Sequence, residues 1–401
     1  MCCHVTCVNF SCVISTVMAT GDQRLVGRAL NSQRLFSWGA NSYGQLASGH
    51  CEDTLRPEEF SPICGNITQI NGGGGHTLII SDGKLMVCGS NEKGQLGIGS
   101  TENVSVLTPI RLLEGEIIRK AEGGWDFSVV INDKGEVFTF GSNTFGQLGL
   151  PDQTINHVTL PTKLHLPEDP RIVDIAAGLR HVVAVSDKGQ LYTWGGRIKE
   201  RVQQKDKKSR NQSPVMVSLP QLEGKIIQVR AGSYHSAALT DCGEIICWGD
   251  NKYGQLAQSP DTARNLSDPS IIPGTLFDVK VIDIQTGWTH MIAITDTGKV
   301  YSWGRADYGQ LGREVQMQYD PTPQPITGLE NVTCVKCGSE HNMALTDEGR
   351  LMTWGWNEHG LCGNGNENNV LIPHQVAAFS DHVIKLIGCG AGHSFAMIND
   401  T

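Results

Sequence analysis

Basic charge is scarce in this chain. Of 401 residues, 32 are Lys or Arg against 41 Asp or Glu, a formal net charge of −9. Phosphate recognition needs a basic face, so nucleic acid is not an expected partner. Long apolar runs are also missing, and none approaches the roughly 18 residues that a membrane-spanning helix requires. Membrane insertion is therefore not expected. No phosphate-cradling loop, nucleophile–base pair or His/Cys group with metal-ligand spacing stands out, which removes the usual support for a hydrolase or transferase and leaves no cofactor or metal to expect.

A disulfide framework is absent as well. The 13 cysteines are odd in number, and Cys88, Cys247 and Cys389 take places that other parts of the chain give to apolar or small residues. Buried reduced thiols behave in this way, and they point to a reducing compartment: the cytoplasm, with the nucleus as the alternative. Cys334-x-x-Cys337 has no second ligand pair, so it reads as two structural thiols.

What the chain has in abundance is glycine, 47 residues of it, placed with a period. Trp-Gly or its variants put Gly39, Gly89, Gly141, Gly195, Gly249, Gly304 and Gly355 at separations of 50, 52, 54, 54, 55 and 51 residues. A second element, Gly-x-x-His, returns at His76, His181, His235, His290, His341 and His393, with Asp126 in the histidine slot of one copy. Regular self-similarity of this kind signals a repeat architecture. Within a copy, apolar strands such as His235–Thr240 and Glu244–Trp248 flank Asp241-Cys242-Gly243, whose Asp and Gly are turn formers. Segments such as Lys225–Val229 add a third strand, and the regions around Pro214 or Pro325 a fourth. Four strands in seven copies predict an all-β protein, a seven-bladed β-propeller.

The ends support a ring. Leu35–Gly39 lacks a Gly-x-x-His partner before it, and Gly390–Met397 supplies that strand with no turn after it. The two are complementary halves of one blade, so the ring is expected to close by pairing the N-terminal and C-terminal strands. Hairpin geometry then puts the Gly-x-x-His loops and the Asn-x-x-Gly-Gln-Leu loops on one face, with the Asp-x-Gly turns on the other.

Two stretches fall outside the period. Residues 1–30 include the mostly apolar Val5–Met18 with no Lys or Arg before it, a departure from the export-signal pattern, and are read as a disordered N-terminal segment. The propeller then spans 31–401. After Gly195 the usual loop is replaced by residues 196–213, which hold Arg197, Lys199, Arg201, Lys205, Lys207, Lys208 and Arg210 against Glu200 and Asp206. A solvated loop, a basic contact for an acidic partner and a nuclear-import signal are the readings of such a charge run.

The full unit, Ala-Gly-x-x-His-Ser-x-Ala-Leu-Thr-Asp-x-Gly followed by Trp-Gly-x-Asn-x-x-Gly-Gln-Leu-Gly, resembles the repeat of the regulator of chromosome condensation (RCC1-like) family. The resemblance covers residues 31–401 and implies guanine nucleotide exchange on a small GTPase linked to secretion, by protein–protein contact and without covalent chemistry. A non-catalytic adaptor for secretory machinery is the alternative, and a chromatin-binding propeller comes third. The family's exchange surface uses acidic and histidine residues at Gly-x-x-His loops, which this chain matches with His290, with Asp126 in a histidine slot and with Glu340.

Together with the aromatic and charged residues of the loop face, these make a candidate partner-binding set of Trp125, Asp126, Arg180, Tyr234, Trp288, His290, Arg305, Asp307 and Glu340. Interface anchors have this mixed composition. His76, His181, His235, His341 and His393 are expected to be structural, each satisfying buried loop backbone. The expected molecule is a monomer.

Overall fold

Each repeat folds as a four-stranded antiparallel sheet because short turns join its first three apolar strands, while a longer loop folds back to lay the fourth strand beside the third. In the fourth blade Ile226–Ala231, His235–Thr240, Ile245–Asp250 and Asn265–Ile271 run from the axis outward, each hydrogen-bonded to the next. The computed structural model describes residues 33–399 apart from 61, 62, 64, 153, 197–212 and 273–278. Six blades are continuous in sequence, their innermost strands beginning at Ile67, Ile118, Ile172, Ile226, Val281 and Val332. The N-terminal segment of residues 1–30 and the basic run 197–212 lie outside the described residues.

The seventh blade joins the two ends of the chain. Its strand order is Ile384–Cys389, His393–Asn399, Gln33–Gly39, Thr54–Phe60. The closing pair runs from Gln33 opposite Asn399 to Gly39 opposite His393 without a register break. Closure between the chain's ends is therefore as expected, and it removes the open edges that a linear array would expose.

Apolar residues on the blade faces are buried between neighbours rather than in one central core. Seven hydrophobic clusters occur among the described residues, one at each blade–blade interface. Phe127, Val129 and Ile131 of the second blade, for example, pack on Ile175, Val182 and Trp194 of the third. The motif tryptophans add a polar tie: Trp38, Trp194, Trp303 and Trp354 donate through Nε1 to loop carbonyls of the preceding blade at 2.8–3.1 Å. A buried indole thus keeps both its apolar area and its N–H satisfied.

The loops are built as the motif suggests. Asn251 accepts from the Leu256 amide at 2.9 Å and donates to the carbonyls of Gln258 and Ala263, while Gln255 accepts from Tyr253 N–H at 2.9 Å. The Trp-Gly glycine before them, Gly249, has φ +104°, and a Cβ there would lie 2.4 Å from the Tyr234 carbonyl. Glycine is required there on both counts. The third blade, which lacks the Asn-x-x-Gly-Gln-Leu sequence, has an outermost strand of only two residues, Val215–Met216.

Candidate partner-binding face

The loop face is held together by histidines. His76 Nε2 lies 2.9 Å from Ser128 Oγ of the next blade, and the pairs His181–Ser236, His341–Ser394 and His393–Thr77 repeat this at 2.9, 3.1 and 2.9 Å. Ser128 in turn donates to the Gln95 carbonyl at 2.8 Å, Thr77 to Gln45 and Ser394 to Leu361. Because these three hydroxyls spend their protons on carbonyls, the imidazoles of His76, His393 and His341 donate from Nε2, which leaves Nδ1 as a bare lone pair. Burial without a charged partner pushes the imidazoles of His76 down to about 4 and of His341 and His393 to about 3, so they are neutral struts. His76, His181, His341 and His393 thus tie neighbouring blades together. The hydroxyls they meet on the next blade extend the tie, since Ser128, Thr77 and Ser394 reach loop carbonyls.

The glycine three residues before each histidine exists for the same strut. A Cβ on Gly232, Gly287 or Gly338 would stand 2.0 Å from the Cε1 of His235, His290 or His341. The motif spacing is thus a steric contract between glycine and imidazole.

The second blade requires a correction. Phe127, not Asp126, sits opposite Gly141 in the register where His235 faces Gly249. Phe127 is therefore the histidine's replacement, and the following blade supplies apolar Val182 in place of a hydroxyl. Asp126 occupies the position just before it, equivalent to Glu340, and accepts from Gln147 Nε2 at 3.3 Å. Two copies, with Asp126 and Glu340, therefore carry an acidic residue at that position.

Above the struts, the Gly-x-x-His loops form a backbone circle around the axis. Trp125 N–H donates to Leu179, Ser233 to Trp288, Trp288 to Ser339, Ser339 to Ala391 and Ala391 to Gly73, at 2.7–3.3 Å. Inside this circle the rings of Trp125 and Trp288, from the second and fifth blades, meet with centroids 5.6 Å apart. Trp125 is 45% exposed, and Trp288 is half-buried.

A second group lies between the fourth, fifth and sixth blades. The Arg305 guanidinium is stacked between Tyr253 and Tyr308, 4.7 and 4.6 Å from their centroids, and bonds Asp307 at 2.9 Å. Burial works against its charge, yet the Asp307 bond and the Glu340 carboxylate outweigh that and hold its proton above the ordinary value. Glu340 accepts from Thr289 Oγ1 at 2.6 Å and from Gln310 Nε2 at 2.8 Å, with His290 Nδ1 at 3.6 Å.

The sequence-derived set therefore divides. Trp125 and Asp307 are exposed, and Asp126, Arg180, Tyr234, Trp288 and Arg305 are half-buried on the face. Arg180 stacks on Phe145 at 3.9 Å. His290 and Glu340 are not surface anchors: they are 0% and 4% exposed. Sequence reasoning missed Tyr253, Tyr308 and Phe145, the aromatic platforms under the two arginines. The position before each Gly-Gln-Leu, which holds Tyr43, Phe145, Tyr253 and Tyr308 in four copies, was the signal that would have found them.

The repeat has known relatives. The RCC1-like domain family matches residues 34–396. The chain belongs to this family. The secretion-regulating guanine nucleotide exchange factor of Mus musculus is 42% identical over 397 residues, covering 90% of this chain and 83% of that protein. Its counterpart from Bos taurus is 42% identical over 390 residues, covering 90% and 82%. Among solved structures, Prp20p from Saccharomyces cerevisiae, described with its binding properties to Gsp1p and histones, superposes with a TM-score of 0.81 over 93% of both chains at 23% identity. That last likeness speaks to the fold alone.

Proposed function

We propose that this RCC1-like propeller is a guanine nucleotide exchange factor for a small GTPase linked to secretion, acting as a monomer through its loop face. The observation that carries the reading is 42% identity across 90% of the chain to proteins of that name. The distribution of unusual residues supports the loop face as the site. The large departures from the repeat, Trp125, Trp288 and the Arg305 stack, all lie at the loop face, whereas the turns Asp187-Lys188 and Asp347-Glu348 on the other face present ordinary solvated side chains. An exchange factor of this kind binds the nucleotide-free GTPase more tightly than the loaded form and so lowers the barrier to release.

The test is capture of nucleotide-depleted small GTPases by the propeller, followed by release of a fluorescent guanine nucleotide. Accelerated release that is lost on substituting Trp288 supports the reading. Binding without accelerated release supports an adaptor. One observation favours that second reading: the Glu340 carboxylate, the acidic group expected at the exchange surface, is buried and spends both oxygens inside the propeller.

A further inference from the structure

The innermost strands of the blades surround an axial chamber of about 340 Å³. Its wall includes the Trp125–Trp288 pair at the loop face. The other copies place Gly74, Leu179, Ser233, Ser339 and Ala391 at the tryptophan position, and none of these has a ring to set across the axis. Below the indoles the lining carries Arg119, Lys120, Arg230 and Lys336 against Glu122 as its one carboxylate among the described residues. That is a local inversion in a chain of net charge −9.

These cations are not equivalent. Lys120 is bound to Asp174 and lies 3.4 Å from Glu122, and Arg230 bridges Asp174 and Asp283 at 3.5 and 3.4 Å. Lys336 is half-buried and has no ion pair among the described residues. Near it are the thiols of Cys334, Cys337 and Cys389, which burial pushes up and which its ammonium pulls back only in part; Asp283 and Arg230 act on the first two as well, but that carboxylate is already bonded to Arg230 and Gln228. A half-buried ammonium without an ion pair on the wall of a chamber is a natural partner for an anion. The volume falls in the range of small-molecule sites, which join apolar or aromatic walls to a few placed polar groups.

We propose that the axial chamber binds a small organic anion, a phosphate or carboxylate borne on a flat ring, with Lys336 taking the charge and the Trp125–Trp288 pair packing the ring. The site shares Trp125 and Trp288 with the partner-binding face, but Lys336 lies on the channel wall and outside the partner set, so its variant tests this site apart from the exchange reading. Two variants borrow residues from neighbouring blades: Lys336→Gln copies Gln285 of the fifth blade, and Trp288→Leu copies Leu179 of the third. Tryptophan fluorescence and calorimetry are titrated with phenyl phosphate, benzoate, inorganic phosphate and phenol.

The expected result is saturable binding of the ring-bearing anions, at least tenfold weaker binding of inorganic phosphate and of phenol, and at least tenfold loss in Lys336→Gln and in Trp288→Leu. Melting temperatures within a few degrees of wild type show that both variants are folded. The ratio of phenyl phosphate to benzoate affinity tells which anionic group is preferred. GTPase capture by Lys336→Gln is expected to be unchanged. Absence of saturable binding by all four probes to the wild-type protein, or equal affinity in folded Lys336→Gln, overturns the site.

Discussion

Replacing Glu340 with alanine separates a surface anchor from a buried hub. The carboxylate is 4% exposed and accepts from Thr289 Oγ1 at 2.6 Å and Gln310 Nε2 at 2.8 Å, with His290 Nδ1 at 3.6 Å and Arg305 Nη1 at 3.8 Å. Hydrogen bonds to a charged group contribute about 1.5–3 kcal/mol each, and removing one partner of a buried charged set costs about 3–5 kcal/mol. The Gln310 carbonyl also accepts from Asn342 and Trp354, so a shift of that residue strains two further ties. We take about 3–4 kcal/mol as the loss in Glu340→Ala. With an unfolding entropy near 2.1 cal/mol/K per residue over about 370 residues, each kcal/mol lowers the melting temperature by about 1.3 °C, which predicts a fall of about 4–5 °C. Glu340→Gln retains an acceptor for Thr289 and is expected to lose about half as much. Differential scanning calorimetry at fixed scan rate, with GTPase capture measured below the transition, reads both effects. A melting temperature within 1 °C of wild type in Glu340→Ala refutes the buried-hub reasoning and restores Glu340 as a surface residue.

Trp288→Ala is expected to weaken partner binding by about 1–3 kcal/mol, while Lys188→Ala on the opposite face leaves it unchanged; the reverse outcome in an affinity measurement places the partner on the other face. Acidification is expected to destabilise the propeller. His76, with a folded value of about 4, and His235, His341 and His393, near 3, are neutral in the fold but take a proton near 6.5 when unfolded. Stability from these groups is therefore full above about pH 6.5 and is lost as pH falls toward 4 and 3, by about 2 kcal/mol per histidine at pH 5. A melting temperature that stays level from pH 7 to 4.5 contradicts this. Gly287→Ala drives a Cβ to 2.0 Å from the His290 ring and is expected to cost about 1–3 kcal/mol, the range for overpacking, as read by urea unfolding. Deleting residues 1–30 is expected to leave a cooperative fold, whereas deleting 1–45 removes the strand Gln33–Gly39 that covers His393–Asn399 and yields aggregation in light scattering.

Periodicity was enough to determine the blade count, the strands, the closure and the assignment of faces, because each depends on local turn chemistry and on a side-chain alternation that a strand cannot alter. Gly-x-x-His and Asn-x-x-Gly-Gln-Leu are local devices, and their spacing is readable along the chain. Which atoms meet across blades was not readable. Ser128 lies 52 residues from His76, and nothing near either residue in sequence marks the pairing. Composition favours Asp126 for the histidine slot, since a polar residue resembles histidine more than Phe127 does, and only the register opposite Gly141 gives the slot to Phe127. Glu340 looked like a surface charge because its loop is a surface loop. The folded chain instead turns the carboxylate inward, where Thr289, Gln310, His290 and Arg305 from the neighbouring blade surround it. The meeting of Trp125 and Trp288 over the axis belongs to the tertiary structure alone, since two positions 163 residues apart become neighbours only when seven blades bend into a ring.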